Sequence, residues 1–147
     1  MSDCIICDKH KQSKVPFLLE GESTYVFHYE TSEKNPKTYK GHLFVEPKRH
    51  ITSVADLTPV EAQELGFFIS KAGKALRAVL DPEHIYVFTI GHLVDHLHFH
   101  VVPRYAGTPK EYWGGMKLHE WENAPFIGEQ DISDLSSLLM KQFTECY

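Results

Sequence analysis

The sequence predicts an α+β fold: a mainly antiparallel sheet of about five strands, with one long helix and a C-terminal helix. Two observations predict it. Runs rich in aromatic and β-branched residues stand both before and after one long amphipathic stretch, and the connections between neighbouring runs are too tight for the crossovers of a parallel βαβ sheet. No internal repeat, low-complexity tract or linker interrupts the 147 residues, so 1–147 is expected to be a single domain.

The elements follow in order. Phe17–Leu19 and Tyr25–Tyr29 flank the polar break "EGES", the pattern of a hairpin. The polar segment "TSEKNPKTYKGH" carries the turn signal Asn35-Pro36 and leads into "HLFVEP", a strand stopped at Pro47, with His42 at its entrance. Thr58, Pro59 and Glu61 form a helix start: a hydroxyl N-cap, a proline at the first helical position and a glutamate placed for a capping box. Leu65, Phe68, Ile69, Ala72, Leu76, Val79 and Leu80 then recur at three- and four-residue spacing up to the Asp81-Pro82 stop, giving one face built to cover a sheet. The stripe is wide enough to suggest a second use, as a contact between two copies of the chain. "HIYVFTI" and "HLHFHVV" read as two strands separated by "GHLVD", and Ile132–Phe143 reads as a helix capped by Asp131 or Ser133.

Composition narrows the function classes. A content of 42% hydrophobic and 12% aromatic residues supports a sizeable core. The formal net charge is −5, and no basic cluster exceeds "PKRH", which argues against electrostatic binding to a nucleic-acid backbone and for a small-molecule ligand. The first twelve residues lack the apolar core of a secretory leader and no run approaches the ~20 apolar residues of a membrane span, so a cytoplasmic location and no membrane partner are expected.

The stretch "DHLHFHVVPR" carries the chemistry. Side chains alternate along a strand, so His96, His98 and His100 are expected on one face and Leu97, Phe99 and Val101 on the core side. Any one histidine is most simply a solvated surface group, but three at period two form a site: either a shared metal ligand set, or a nucleophile with helpers. Cys4 and Cys7 in "CIIC" have the spacing of a chelating half-site. A redox pair and two merely packed cysteines are the competing readings.

These residues resemble the histidine triad (HIT) superfamily of nucleotide hydrolases and transferases, whose signature alternates histidine with hydrophobic residues as in His96-Leu97-His98-Phe99-His100-Val101-Val102. The likeness runs from about Cys4 to Arg104: "CIIC" resembles the CxxC of the zinc-carrying bacterial branch and "GHLFVEPKRHI" its second fingerprint, whereas "EYWGGMKLHEWENAP" and its surroundings match nothing. The resemblance implies a HIT-like fold and a structural zinc held by Cys4, Cys7, His50 and His96. It implies His98 as the nucleophile that takes up a nucleotidyl group, and His100 and His42 as phosphate contacts. It implies a homodimer. Relatives carry Gly-Gln-Ser before the triad, where this chain has His92 and Leu93 at the Gln and Ser positions; the acidic residue that meets the ribose aligns with Tyr29, with Glu30 one position on. Three functions stay open at this level: a nucleotide hydrolase or transferase acting at the α-phosphate, a non-catalytic nucleotide- or partner-binding module, and a metallohydrolase with one catalytic metal on the triad.

Overall fold

The structure, a computed structural model, describes residues 3–12 and 17–145. Helix α1 (Ile5–Gln12) is followed by strands β1 (Leu19–Glu20), β2 (Thr24–His28), β3 (Thr38–Tyr39) and β4 (Leu43–Pro47), helix α2 (Pro59–Leu80), strands β5 (His84–Phe88), β6 (Phe99–Arg104) and β7 (Phe126–Ile127), and helix α3 (Glu129–Glu145). Five of the strands make one antiparallel sheet in the order β1-β2-β4-β6-β5, which confirms the α+β architecture. Strand alternation splits its two faces. Val26, Leu43, Val45 and Val101 point to the helices and are fully buried. Phe27 and Phe44, paired across β2 and β4, point the other way and floor the cavity described below.

Helix α2 starts as its sequence dictates. The Thr58 hydroxyl accepts from the Glu61 N–H at 3.2 Å while the Glu61 carboxylate accepts from the Thr58 N–H at 2.9 Å, with Pro59 at the first position. The same carboxylate receives both arms of Arg49 at 2.8 Å, so the turn that carries His50 is clamped to the start of α2. The helix ends on Asp81 in the left-handed region, φ 46°, where its N–H reaches the Arg77 carbonyl. Leu65, Phe68, Ala72 and Leu76 are buried and Ile69 packs beside them, against the sheet and Leu135, Leu139 and Phe143 of α3. The stripe singled out as wide enough for a dimer contact is therefore taken up within the chain; the exposed large apolar residues of α2 are Val60 and Phe67.

The remaining differences from the sequence reading have local causes. The "CIIC" motif opens a helix, with the Asp8 N–H bonded to the Cys4 carbonyl. Strand β6 begins at Phe99, not His96, because the Leu97 N–H bonds the Ile51 carbonyl at 2.7 Å instead of a neighbouring strand. Strand β5 stops at Phe88, two residues early. Helix α3 begins at Glu129, so Asp131 and Ser133 lie inside its first turns and are not its cap. Residues 105–127, unreadable in the sequence, form short 3-10 turns and strand β7, which pairs with β3. Tyr39 and Tyr105 fasten this segment to the sheet: their hydroxyls donate to the carbonyls of Pro103 at 2.8 Å and Lys40 at 2.6 Å.

Gly41 positions the residue after it, His42. Its φ is +82° and its N–H donates to His28 Nε2 at 3.0 Å. A Cβ there would stand 2.9 Å from both Leu80 and Pro103 and 3.0 Å from the Tyr105 hydroxyl. Gly41→Ala is expected to destabilise the protein by at least about 1–2 kcal/mol, the backbone contribution alone. Urea unfolding checks this; an unchanged midpoint would show that the turn tolerates a side chain.

Candidate active site and metal centre

Two clusters meet at the residues leading into β6. In the first, donor atoms of Cys4, Cys7, His50 and His96 lie within 4.8 Å of one another. Cys4 precedes α1 and Cys7 sits one turn on, so both sulfurs face the same way. His96 Nδ1 is 3.5 Å from each sulfur, and His50 Nδ1 is 3.5 Å from Cys7 Sγ. Zinc bonds of ~2.3 Å to sulfur and ~2.0–2.1 Å to nitrogen at a tetrahedral angle imply a sulfur–nitrogen edge of about 3.6 Å, so the spacing fits. The protonation pattern fits too. His96 donates its Nε2–H to the Pro47 carbonyl at 2.8 Å, which leaves Nδ1 as a lone pair aimed at the sulfurs. Four protein donors leave no open position, the arrangement of a structural and not a catalytic site.

The second cluster lines a cavity of about 750 Å³. His98 and His100 stand in its wall, with the Phe27 and Phe44 rings below. The backbone orients His98: its Nδ1–H donates to the His96 carbonyl at 2.7 Å, so neutral His98 holds a lone pair on Nε2. His100 stacks on Phe88, centroids 4.6 Å apart and planes 4° from parallel, and its Nδ1 lies 2.9 Å from His42 Nε2. His42 is buried, and its other nitrogen lies 3.1 Å from Nε2 of His119. Both nitrogens of His42 are thus occupied by imidazoles. It lines the cavity next to His100, with each ring nitrogen within hydrogen-bond distance of another imidazole.

Of the other residues named from sequence, Tyr29 lines the cavity, its ring 5.1 Å from His42 and from Phe44. His92 lies on the exposed loop at the rim, beside Leu93, which is 98% exposed. Glu30 is exposed and does not line the cavity. Sequence reasoning missed Lys9 of α1, Phe27, Phe44, Met116, His119 and Phe126 in the wall. Phe44 was within reach, because it shares a face with His42 at period two; His119 stands alone in an unpatterned stretch.

Residues 12–107 match the family described as HIT domain. The chain belongs to that family. An AP-4-A phosphorylase of Mycobacterium tuberculosis is 40% identical over 73 residues, 46% of this chain and 37% of that one, so the chain spans little more than a third of that relative's length. A hypothetical histidine triad nucleotide-binding protein of Sulfolobus tokodaii superposes with a TM-score of 0.73 at 15% identity, covering 97% of this HIT chain and 93% of the other. A Zn-bound histidine triad family protein of Mycobacterium smegmatis gives 0.67 at 19% identity, covering 97% and 94%. At such identities the likeness is one of fold.

Four imidazoles at this HIT site, those of His28, His42, His100 and His119, are pushed toward the neutral form. Burial, reinforced by His119, His100, His28 and His98, pushes the His42 pKa well below the ordinary value. Burial and the neighbouring His98 and His119 bring His100 down to about 4, and burial lowers His28 and His119. A lowered folded-state pKa means that the unfolded chain binds more protons between the unfolded value, ~6.5, and the folded one. Stability from these groups is therefore complete above pH ~6.5 and is lost as the pH falls through that window. Urea midpoints are expected to decline on acidification from pH ~6.5, while the His100 ring proton in NMR keeps its neutral shift until near pH 4. A His100 midpoint at ~6.5 would contradict this.

Proposed function

We propose that the protein is a HIT-type nucleotide hydrolase or nucleotidyl transferase that acts at the α-phosphate of a nucleoside polyphosphate or phosphoramidate through a covalent nucleotidyl-histidine. The observation that carries the reading is the hydrogen bond from His98 Nδ1 to the His96 carbonyl, which leaves Nε2 of His98 as a nucleophile at the cavity wall. Nε2 bonds to the α-phosphorus and the leaving group departs with the bonding pair, as a phosphate or as an amine that takes up a proton from solvent, which the later release of the His100 proton to solvent balances. Water then attacks the phosphorus, its proton passes to His100, and the electrons of the phosphorus–nitrogen bond return to His98. Phe27 and Phe44 accommodate the nucleoside, and Tyr29 and His92 border it. The relative named as an AP-4-A phosphorylase and the neighbour named as nucleotide-binding support this substrate class.

The Cys4, Cys7, His50 and His96 set is proposed to hold one structural zinc, which ties the N-terminal helix to the residues entering β6; the Zn-bound neighbour supports it. The proposal includes a cytoplasmic homodimer, paired through α2 and the open edge strand β5. The non-catalytic reading draws on the rim: His92 and Leu93 replace the Gln and Ser of relatives and are exposed.

Three alanine variants separate these readings. His96→Ala is expected to lose metal and stability. His98→Ala should keep fold and metal but abolish turnover of a fluorogenic adenylate phosphoramidate, and His100→Ala should slow it about 10²–10⁴-fold, what a positioned proton acceptor contributes. Zinc content and turnover are measured side by side. Loss of metal in all three would favour a shared catalytic metal, and a parent protein that binds but never turns over would favour the binding module.

A further inference from the structure

Helix α1 forms one wall of the cavity, and helical spacing gathers three of its lining residues: Ile5 and Ile6 stand four and three positions before Lys9. The floor below is made of aromatic rings. Phe27 and Phe44 have centroids 5.4 Å apart and planes 30° from parallel, and Tyr29 adjoins Phe44 at 5.1 Å and 34°. These rings are not equally open. The Lys9 ammonium stands 3.3 Å from the centroid of the Phe27 ring, in contact with its face, so that ring is already covered. A base laid on Phe44, whose ring is 5.7 Å from that of His98, has the ammonium beside it at nearly its own level and meets it with an edge.

Glu46 is the second polar group at this end of the cavity. It follows Phe44 by two residues on β4 and so shares its side of the sheet; it lines the cavity although only 1% of it is exposed. One of its oxygens is engaged: Oε1 is within hydrogen-bond distance of His10 Nε2 and 3.5 Å from the Lys9 ammonium. The other, Oε2, accepts no hydrogen bond from any of the described residues. A buried carboxylate oxygen without a donor is unfavourable, and a ligand that brings an N–H to it removes the cost.

We propose that Lys9 and Glu46 read the edge of the base and select a 6-oxopurine, guanine or hypoxanthine, over adenine. The selection rests on the nucleotide reading of this site given above. An ammonium only donates and an ionised carboxylate only accepts. A 6-oxopurine carries the complement of that pair along one edge: N7 and O6 are adjacent acceptors for Lys9, and the N1–H next to O6 is a donor for Glu46 Oε2. Adenine has an amine in place of O6, so in the same pose a donor faces the ammonium and the N1 lone pair faces the carboxylate. A pyrimidine has no counterpart of N7. Lys9 and Glu46 are thus specificity-determining residues, and the chemistry at His98 is untouched by them.

Titration calorimetry with the 5′-monophosphates of guanosine, inosine, adenosine and 1-methylguanosine reads this edge atom by atom. The guanosine and inosine nucleotides are expected to bind about 10-fold more tightly than the adenosine one, within the discrimination that a well-matched pair of contacts to a base edge supplies. The 1-methylguanosine nucleotide keeps O6 and N7 but has no N1–H, and should fall to the level of adenosine. These comparisons need no variant. In Lys9→Met, which keeps the length of the stem without its charge, the ratio of inosine to adenosine nucleotide affinity should fall toward one. Equal binding of the four nucleotides by the parent, or an unchanged ratio in a folded Lys9→Met protein, would overturn the selection and leave the nucleotide site standing. Binding of none of the four would overturn the nucleotide reading, and the selection with it.

Discussion

The site depends on the three-way attachment of His96. Its Nδ1 faces the two cysteines, its Nε2–H is given to the Pro47 carbonyl, and its own carbonyl receives the Nδ1–H of His98. One buried residue thus joins the N-terminal helix, the end of β4 and the cavity wall. Its backbone can serve His98 because the chain is not yet in the ladder there: strand pairing starts at Phe99, and the carbonyl of a regular strand would be bonded sideways to a neighbour. The departure from ideal strand geometry is what orients the middle histidine.

Polar chemistry in this cavity is organised by neutral imidazoles. Burial favours the uncharged ring at His42, His100 and His119, and at His42 and His100 the neighbouring imidazoles add to it. A neutral imidazole has one donor and one acceptor, so a row of them has a direction, and the direction is set where the row touches a group that can only accept. The backbone does this for His98 through the His96 carbonyl. The same logic applies to His28, whose Nδ1–H goes to the Tyr29 carbonyl at 2.8 Å and whose Nε2 accepts from the Gly41 N–H.

Much of this was legible in the sequence because it rests on short-range rules. Period two in "HLHFHVV" separated the histidines from the core residues, and Thr58 with Glu61 marked the start of α2 through contacts three residues apart. CxxC spacing, with the family resemblance, identified a metal-ligand set whose donor atoms converge. Helix α1 was not legible, since eight residues are too few to signal a helix by propensity; it is held by tertiary contacts, Lys9 and His10 with the buried Glu46. Strands β3 and β7, two residues each, are too short for any period. His119 carries no local pattern at all, because what places it is the fit of Gly115 against Phe88 and of Leu118 in a small aromatic cluster.

The central claim is a division of labour within the triad: His96 supports, His98 bonds to the substrate, His100 handles the proton. Rapid alkaline quenching during turnover of a nucleoside phosphoramidate, followed by peptide mapping, locates any nucleotidyl adduct on the chain. The account predicts one adduct, on His98. An adduct on another residue, or sustained turnover with no adduct anywhere, would contradict it.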